Sequence, residues 1–212
     1  MQRAIIFLNG DLSDLSQAQK YIQPDDYIIC ADGGAKHALN LNLKPNAIIG
    51  DLDSLSQDLQ TELQKEEIEW HKFKTEKDET DSELALNFAI KKGFKTIFLF
   101  GVFGSRLDHF LSNIFALTHL TDQGITVTII EGKKEIKIFK QQLSIQGTIG
   151  DIVSLIPIAT DAKNITTTGL KYKLNNENLF FGYSRGISNE LTAKEATVKV
   201  EKGTLLMIHE KQ

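Results

Sequence analysis

The sequence predicts an α/β N-terminal domain with a mostly parallel sheet, followed by an all-β antiparallel sandwich domain. Three observations carry this expectation. Short, nearly continuous apolar runs alternate with amphipathic stretches as far as Gly132, the texture changes to period-two alternation beyond it, and glycine- and aspartate-bearing loops follow the early runs. The expected domains are residues 1–132 and 133–212.

The early runs are Ala4 to Leu8, Tyr27 to Cys30, Ala47 to Ile49, Thr96 to Phe100 and Ile125 to Ile130. They read as strands of a parallel sheet, because helices covering both faces require apolar side chains on both sides. Glu69 to Phe73 is a weaker strand, and helical patterns cover Asp81 to Lys92 and Arg106 to Thr121. On the second helix Leu107, Leu111 and Ile114 mark an apolar face, with Arg106, His109 and Asn113 along an adjacent polar stripe.

Beyond Gly132 the alternating pieces are Glu135 to Phe139, Leu143 to Gln146, Ile152 to Ile158, Ile165 to Leu174, Leu179 to Tyr183, and Ala196 to Ile208 broken at Lys202-Gly203. A domain of this size buries a limited core, so it is expected to lean on the first domain or on a second copy of the chain.

Composition narrows the partners. Of 212 residues, 24 are basic and 28 acidic, for a net charge of -4 without a long Lys/Arg cluster, which argues against a nucleic-acid backbone. No stretch approaches the roughly 18 apolar residues of a membrane span, and Met1 to Gly10 is too short and wrongly flanked for a secretory signal, so a cytoplasmic protein is expected. The one cysteine, Cys30, sits in an apolar run and reads as a small buried hydrophobe. His37, His71, His109, His119 and His209 show no close ligand spacing, so any metal is expected to be held by oxygen.

The chemistry gathers after the strands. Asp32-Gly33-Gly34, Gly50-Asp51-Leu52-Asp53-Ser54, Lys77-Asp78-Glu79-Thr80-Asp81 and Gly101-Val102-Phe103-Gly104-Ser105-Arg106 follow the second to fifth strands. In a parallel sheet these loops share one edge, where ligands usually bind. Asp51 and Asp53 are two apart, so in an extended loop their carboxylates approach each other. Like charges about 4 Å apart repel by about 4 kcal/mol at an effective dielectric near 20, which a cation or a shared proton must relieve. With Asp32, Asp78 and Asp81 added, the donor set is hard oxygen and suits Mg²⁺ carrying a phosphate substrate.

A purely structural account competes at each loop. Thr80 with Glu83, and Ser54 with Gln57, match the capping box, and Asp81 favours the positive end of a helix dipole whatever the protein does. Four loops at one edge favour the metal–phosphate account. Arg106 at the start of a helix offers a seat for phosphate oxygens, although no Walker A pattern or complete G-x-G-x-x-G occurs. Phe181 to Glu190 mixes aromatics, glycines and small polar residues, and read by itself is a hairpin turn.

Taken together, Asp32-Gly33-Gly34, Gly50-Asp51-Leu52-Asp53-Ser54, Asp78-Glu79-Thr80-Asp81, Arg106-Leu107-Asp108-His109 and Gly186-Ile187-Ser188-Asn189-Glu190 resemble the thiamine pyrophosphokinase family. The resemblance implies transfer of a diphosphate from ATP to the hydroxyl of thiamine, with AMP released. It further implies Asp51, Asp53 and Asp81 as magnesium-binding and catalytic carboxylates, and Asp32, Gly33, Asp78, Thr80, Arg106, Asp108 and His109 as the nucleotide and phosphate surround. Ser188 and Asn189 are implied as thiamine contacts, in a homodimer with sites between subunits.

Ser105 stands where many relatives carry a glycine. Because Trp70 lies in the first half, an aromatic platform from the second domain would come from Tyr172, Phe180, Phe181 or Tyr183, each of which reads more readily as core. The alternatives are a pyrophosphokinase for another heterocyclic alcohol such as a pterin, a phosphohydrolase, and a non-catalytic sensor of thiamine diphosphate or nucleotide.

Overall fold

The computed structural model describes residues 2–12, 14–50, 60–61, 63–64, 66–73 and 78–212. The chain divides into two compact units, Met1–Leu117 with Ile129–Gly132, and Thr118–Thr128 with Lys133–Gln212.

The first unit contains β1 (Ala4–Phe7), α1 (Leu15–Gln19), β2 (Tyr27–Ala31), α2 (Ala35–Asn40), β3 (Ala47–Gly50), β4 (Glu69–Lys72), α3 (Asp81–Lys91) and β5 (Thr96–Phe100). Helix α4 (Leu107–Asp122) and strand β6 (Thr126–Glu131) run across the division. The strand order is β4-β3-β2-β1-β5, with every pair parallel. All residues of β1 and β3 are buried, as the continuous apolar runs required. Ile5, Phe7, Cys30, Ile48 and Phe100 share one core cluster, and the Phe7 and Phe100 rings stack at 5.3 Å. Fully burying each large apolar side chain contributes about 1.5–3 kcal/mol. Cys30 is buried among them as a free thiol, and burial pushes its pKa up.

Helix α3 begins as its sequence dictates. Thr80 is the N-cap, its hydroxyl accepting from the Glu83 N–H at 3.2 Å, and Asp81 and Glu83 occupy the first turn with Lys91 in the last. Its inward face is Ser82, Ala85, Leu86 and Ala89, at helical spacing.

Helix α4 departs in part from the expected face, since Ile114 is buried as expected and Leu107 and Leu111 are not. Leu107, Leu111 and Phe115 are 66%, 41% and 60% exposed, whereas Asn113, Ile114 and Leu117 are buried. Apolar residues surround most of this helix, so periodicity could not choose the inward side. Ile114, Leu117 and Leu120 form the buried side, and Asn113 joins it through a buried hydrogen bond from Ser82.

The second unit contains β7 (Lys134–Phe139), β8 (Gln142–Gln146), β9 (Ile152–Pro157), β10 (Ala162–Thr168), β11 (Asn175–Leu179), β12 (Asn189–Glu190), β13 (Glu195–Lys199) and β14 (Leu205–Glu210). Two antiparallel layers run β12-β9-β14-β7 and β11-β10-β13-β8. Val153, Leu155, Leu205 and Met207 from the first layer meet Ile145, Ile165, Ala196 and Val198 from the second in one core cluster, which makes the unit a sandwich. The alternation on β9, partly buried then buried throughout, is what the period-two sequence required.

The expected strand from Ile165 to Leu174 stops at Thr168, because Gly169 adopts φ +71° and a β-carbon there would stand 2.3 Å from the Glu195 carbonyl oxygen. The strand expected at Leu179 to Tyr183 instead ends at Leu179.

Candidate active site

The loop after β1 sets the floor of the site. The Gly10 N–H donates to the Gly101 carbonyl at 2.9 Å and the Asp11 N–H to the Phe103 carbonyl at 2.6 Å. Only a residue without a side chain permits this approach, since a β-carbon at Gly10 would stand 2.1 Å from the Phe103 oxygen. His37 of α2 secures the same loop, its Nε2 2.8 Å from the Gly10 carbonyl oxygen, and burial pushes its pKa down.

Around this floor lies a cleft of about 520 Å³ within the first unit. The loop after β1 contributes Asn9, Gly10 and Asp11, and the end of β2 contributes Asp32. The start of α3 contributes Thr80, Asp81 and Ser82, the loop after β5 contributes Gly104, Ser105 and Arg106, and α4 contributes His109 and Asn113. Asp32 is buried and holds φ +45°, a conformation costly for a non-glycine residue and maintained here in a short 3₁₀ turn over Asp32–Gly34.

Of the residues singled out from sequence, Asp32, Thr80, Asp81, Arg106 and His109 line this cleft. Gly33 is buried against Asn9, whose Oδ1 would be 2.2 Å from a β-carbon there. Asp78 is exposed ahead of α3 and is not on the cleft wall. Asp108 instead pairs with Arg106 through both carboxylate oxygens, at 2.5 Å from Nη2 and 3.2 Å from Nε. The guanidinium holds the Asp108 carboxyl down at about 2, and because both groups are mostly exposed the pair orients Arg106 more than it stabilises the fold. Asp51, Asp53, Ser54, Gln57 and Lys77 lie outside the described residues.

In the second unit, Ser188 adopts φ +56° and its N–H donates to the Ser154 hydroxyl at 3.0 Å. Asn189 is buried and clasps Tyr172. Its Oδ1 accepts from the Tyr172 N–H at 2.9 Å, and its Nδ2 donates to the Tyr172 carbonyl at 2.7 Å. Against the reading of the aromatics as core, Tyr172, Phe180, Phe181 and Tyr183 are 61%, 52%, 56% and 73% exposed.

Sequence reasoning missed Asn9, Gly10, Asp11 and Ser82 as site residues. The signal for the first three was present, since they follow the first strand as the other loops follow theirs. Ser82 carried none, because a serine in a first helical turn reads as ordinary capping chemistry.

Charge on the cleft wall is acidic. Asp11, Asp32 and Asp81 face one Arg106, so an anionic phosphate needs a hard cation, and carboxylate oxygens are the donors Mg²⁺ prefers. Among the described residues no three His, Cys, Asp or Glu side chains are grouped closely enough to hold a metal. Asp32 and Asp81 on the cleft wall are oxygen donors of the kind such a cation takes.

A parallel sheet with its ligand cleft at the carboxyl ends of the strands, joined to an antiparallel sandwich, defines an α/β enzyme with an added β domain. Residues 18–129 match the model of the thiamin pyrophosphokinase catalytic domain, and residues 135–205 match that of the thiamin pyrophosphokinase vitamin B1 binding domain. A thiamine pyrophosphokinase of Bacillus subtilis strain 168 is 34% identical over 182 residues, covering 85% of each chain. The crystal structure of thiamine pyrophosphokinase from Bacillus subtilis superposes with a TM-score of 0.89 at 30% identity over all of both chains. That of thiamin pyrophosphokinase from Geobacillus thermodenitrificans gives 0.85 at 27% identity, over 100% of this chain and 98% of the other. The chain belongs to the thiamine pyrophosphokinase family.

Proposed function

We propose that the cleft binds Mg-ATP and that the enzyme transfers a diphosphate from ATP to the hydroxyl of thiamine, giving thiamine diphosphate and AMP. The observation that carries this reading is the convergence of Asp32, Thr80, Asp81, Arg106 and His109 on one cleft in a chain of this family. Arg106, steadied by Asp108, presents its guanidinium to phosphate oxygens, and the N-terminus of α3 adds backbone N–H donors beside it. A carboxylate near the thiamine hydroxyl accepts its proton as the new P–O bond forms. Asp81, with Asp51 and Asp53, would hold Mg²⁺, which when bound would supply charge neutralisation to the polyphosphate. The remaining surround is Asp32, Gly33, Asp78, Thr80 and His109.

On this reading residues 1–132 form the ATP-binding catalytic domain and residues 133–212 the thiamine-binding domain, where Ser188 and Asn189 serve thiamine. Asn189 does so chiefly by holding Tyr172, since both ends of its amide are engaged there. The exposed apolar residues of each unit, Leu107, Leu111 and Phe115 in the first and Phe180, Phe181 and Tyr183 in the second, support a homodimer with sites between subunits. Among the described residues no helix is long and apolar enough to cross a membrane. On this reading the enzyme works in the cytoplasm, with neither membrane nor nucleic acid as partner.

Purified protein incubated with ATP, Mg²⁺ and thiamine tests the proposal by chromatography of nucleotides and thiamine species. Thiamine diphosphate and AMP should form in equal amounts. AMP or ADP without thiamine diphosphate points to another acceptor or to hydrolysis, and thiamine binding without nucleotide turnover points to a sensor.

A further inference from the structure

Asn113 has no part in the proposed reaction, yet it is a buried polar residue on the wall of the cleft. It lies on α4 one turn beyond His109, is 7% exposed and lines the cleft. Its Oδ1 accepts from the Ser82 hydroxyl at 2.6 Å. The Ser82 oxygen is 2.9 Å from the Thr80 hydroxyl oxygen, which itself accepts from the Glu83 N–H.

A hydroxyl has one hydrogen to give. Ser82 gives its hydrogen to Asn113, so Thr80 is the donor to Ser82, and the hydrogens run one way from Glu83 through Thr80 and Ser82 to Asn113. This chain sets the orientation of the amide. Its oxygen is turned towards α3, and its Nδ2 carries two hydrogens that no described residue accepts. This donor opens on the cleft, and at the wall of a cleft the natural acceptor is the ligand.

We propose that Asn113 is a further substrate-binding residue, its fixed Nδ2 donating a hydrogen bond to an oxygen of the ATP polyphosphate, and that Ser82 is the positioning residue that decides which end of the amide faces the cleft. The cleft wall is acidic overall, with Asp11, Asp32 and Asp81, but Asn113 also shares it with groups that bind an anion. Arg106 and the N-terminus of α3 are donors, so an oxygen that only accepts suits the group better than a base edge that both gives and takes. This rests on the reading of the cleft as the ATP site.

The test compares wild type with Asn113→Asp, Ser82→Ala and Ser82→Thr, measuring the KM for ATP and for thiamine separately and titrating ATP with Mg²⁺ in the absence of thiamine. Asn113→Asp replaces the donor with a negative acceptor of the same shape. It should weaken ATP about tenfold or more in both measurements and leave the thiamine KM within about twofold, a split that general loosening of the fold does not produce. Ser82→Ala should weaken ATP several-fold, and Ser82→Thr should restore it. An unchanged ATP affinity in Asn113→Asp, or equal losses for ATP and thiamine, overturns the proposal, as does failure of Ser82→Thr to restore what Ser82→Ala loses. If the wild type binds ATP but makes no thiamine diphosphate, the diphosphate-transfer reading fails, and the titrations still decide the role of Asn113.

Discussion

The carboxylate of Asp32 lies over the α-carbon of Gly50, so that a β-carbon on Gly50 would stand 1.7 Å from Asp32 Oδ1. Gly50 also holds φ +139°, where side chains are strained whatever the space. Gly50→Ala must therefore displace the aspartate from the cleft wall. Steady-state assays should show kcat/KM falling about tenfold or more, with a stability loss of about 1–3 kcal/mol in urea unfolding. Full activity in this variant would mean that the position of Asp32 does not matter to the reaction.

His37 makes the first unit sensitive to acid. Burial, and the neighbouring Lys36 charge, push its imidazole below its ordinary value of 6.5, against the hydrogen bond to Gly10. Between the folded and unfolded values the unfolded chain binds the extra proton, so stability is full above 6.5 and falls as the pH drops below it. Urea midpoints at pH 7.5 and pH 5.5 should show the loss. His37→Gln, which keeps a donor for the Gly10 carbonyl and cannot titrate, should reduce the difference, and an equal difference in the variant assigns it to other groups.

Asp51, Asp53 and Asp81 should share one phenotype. Replacing any of them with Asn is expected to lower activity chiefly at low Mg²⁺, with partial recovery as the cation is raised. For Asp81 the effect on stability should be small, about 0.3–1 kcal/mol, because a charge at the start of α3 is worth no more than that. Identical magnesium titrations for wild type and all three variants would remove them as ligands.

The second unit depends on a buried acid. Asp151 is 1% exposed and accepts from the Thr148 N–H at 2.8 Å and the Gln212 N–H at 3.0 Å, with His209 Nε2 2.9 Å away. Burial opposes its charge, but these partners outweigh it and hold the carboxyl below the usual range. Its contribution is therefore present at neutral pH and lost as the pH falls through the lowered value. Asp151→Ala should cost about 3–5 kcal/mol by denaturant unfolding, since His209 is left buried without its partner. A cost near zero would show that water replaces the carboxylate.

Much of this molecule is legible in its residues. Parallel strands announce themselves because burial on both faces leaves no room for polar positions, so β1, β3 and β5 stand as apolar runs. The loops that follow them are legible for a related reason, since glycine and aspartate cluster where the backbone must approach a ligand or hold a charge. Asn9-Gly10-Asp11 escaped because the same letters also spell an ordinary turn. Tyr172, Phe180, Phe181 and Tyr183 misled because large aromatic side chains usually mark a core, and here they are exposed.

By itself the sequence determined the local conformations: which stretches extend, which coil, where Thr80 starts a helix, and which loops carry acid. Those follow from neighbours a few positions apart, through periodicity, capping and turn chemistry. Only the tertiary structure decided which side of α4 faces inward and which end of the Asn113 amide faces the cleft. The first depends on the burial of Ile114, Leu117 and Leu120 and the second on a hydrogen bond from Ser82, 31 residues earlier, and both form only after the chain has closed on itself.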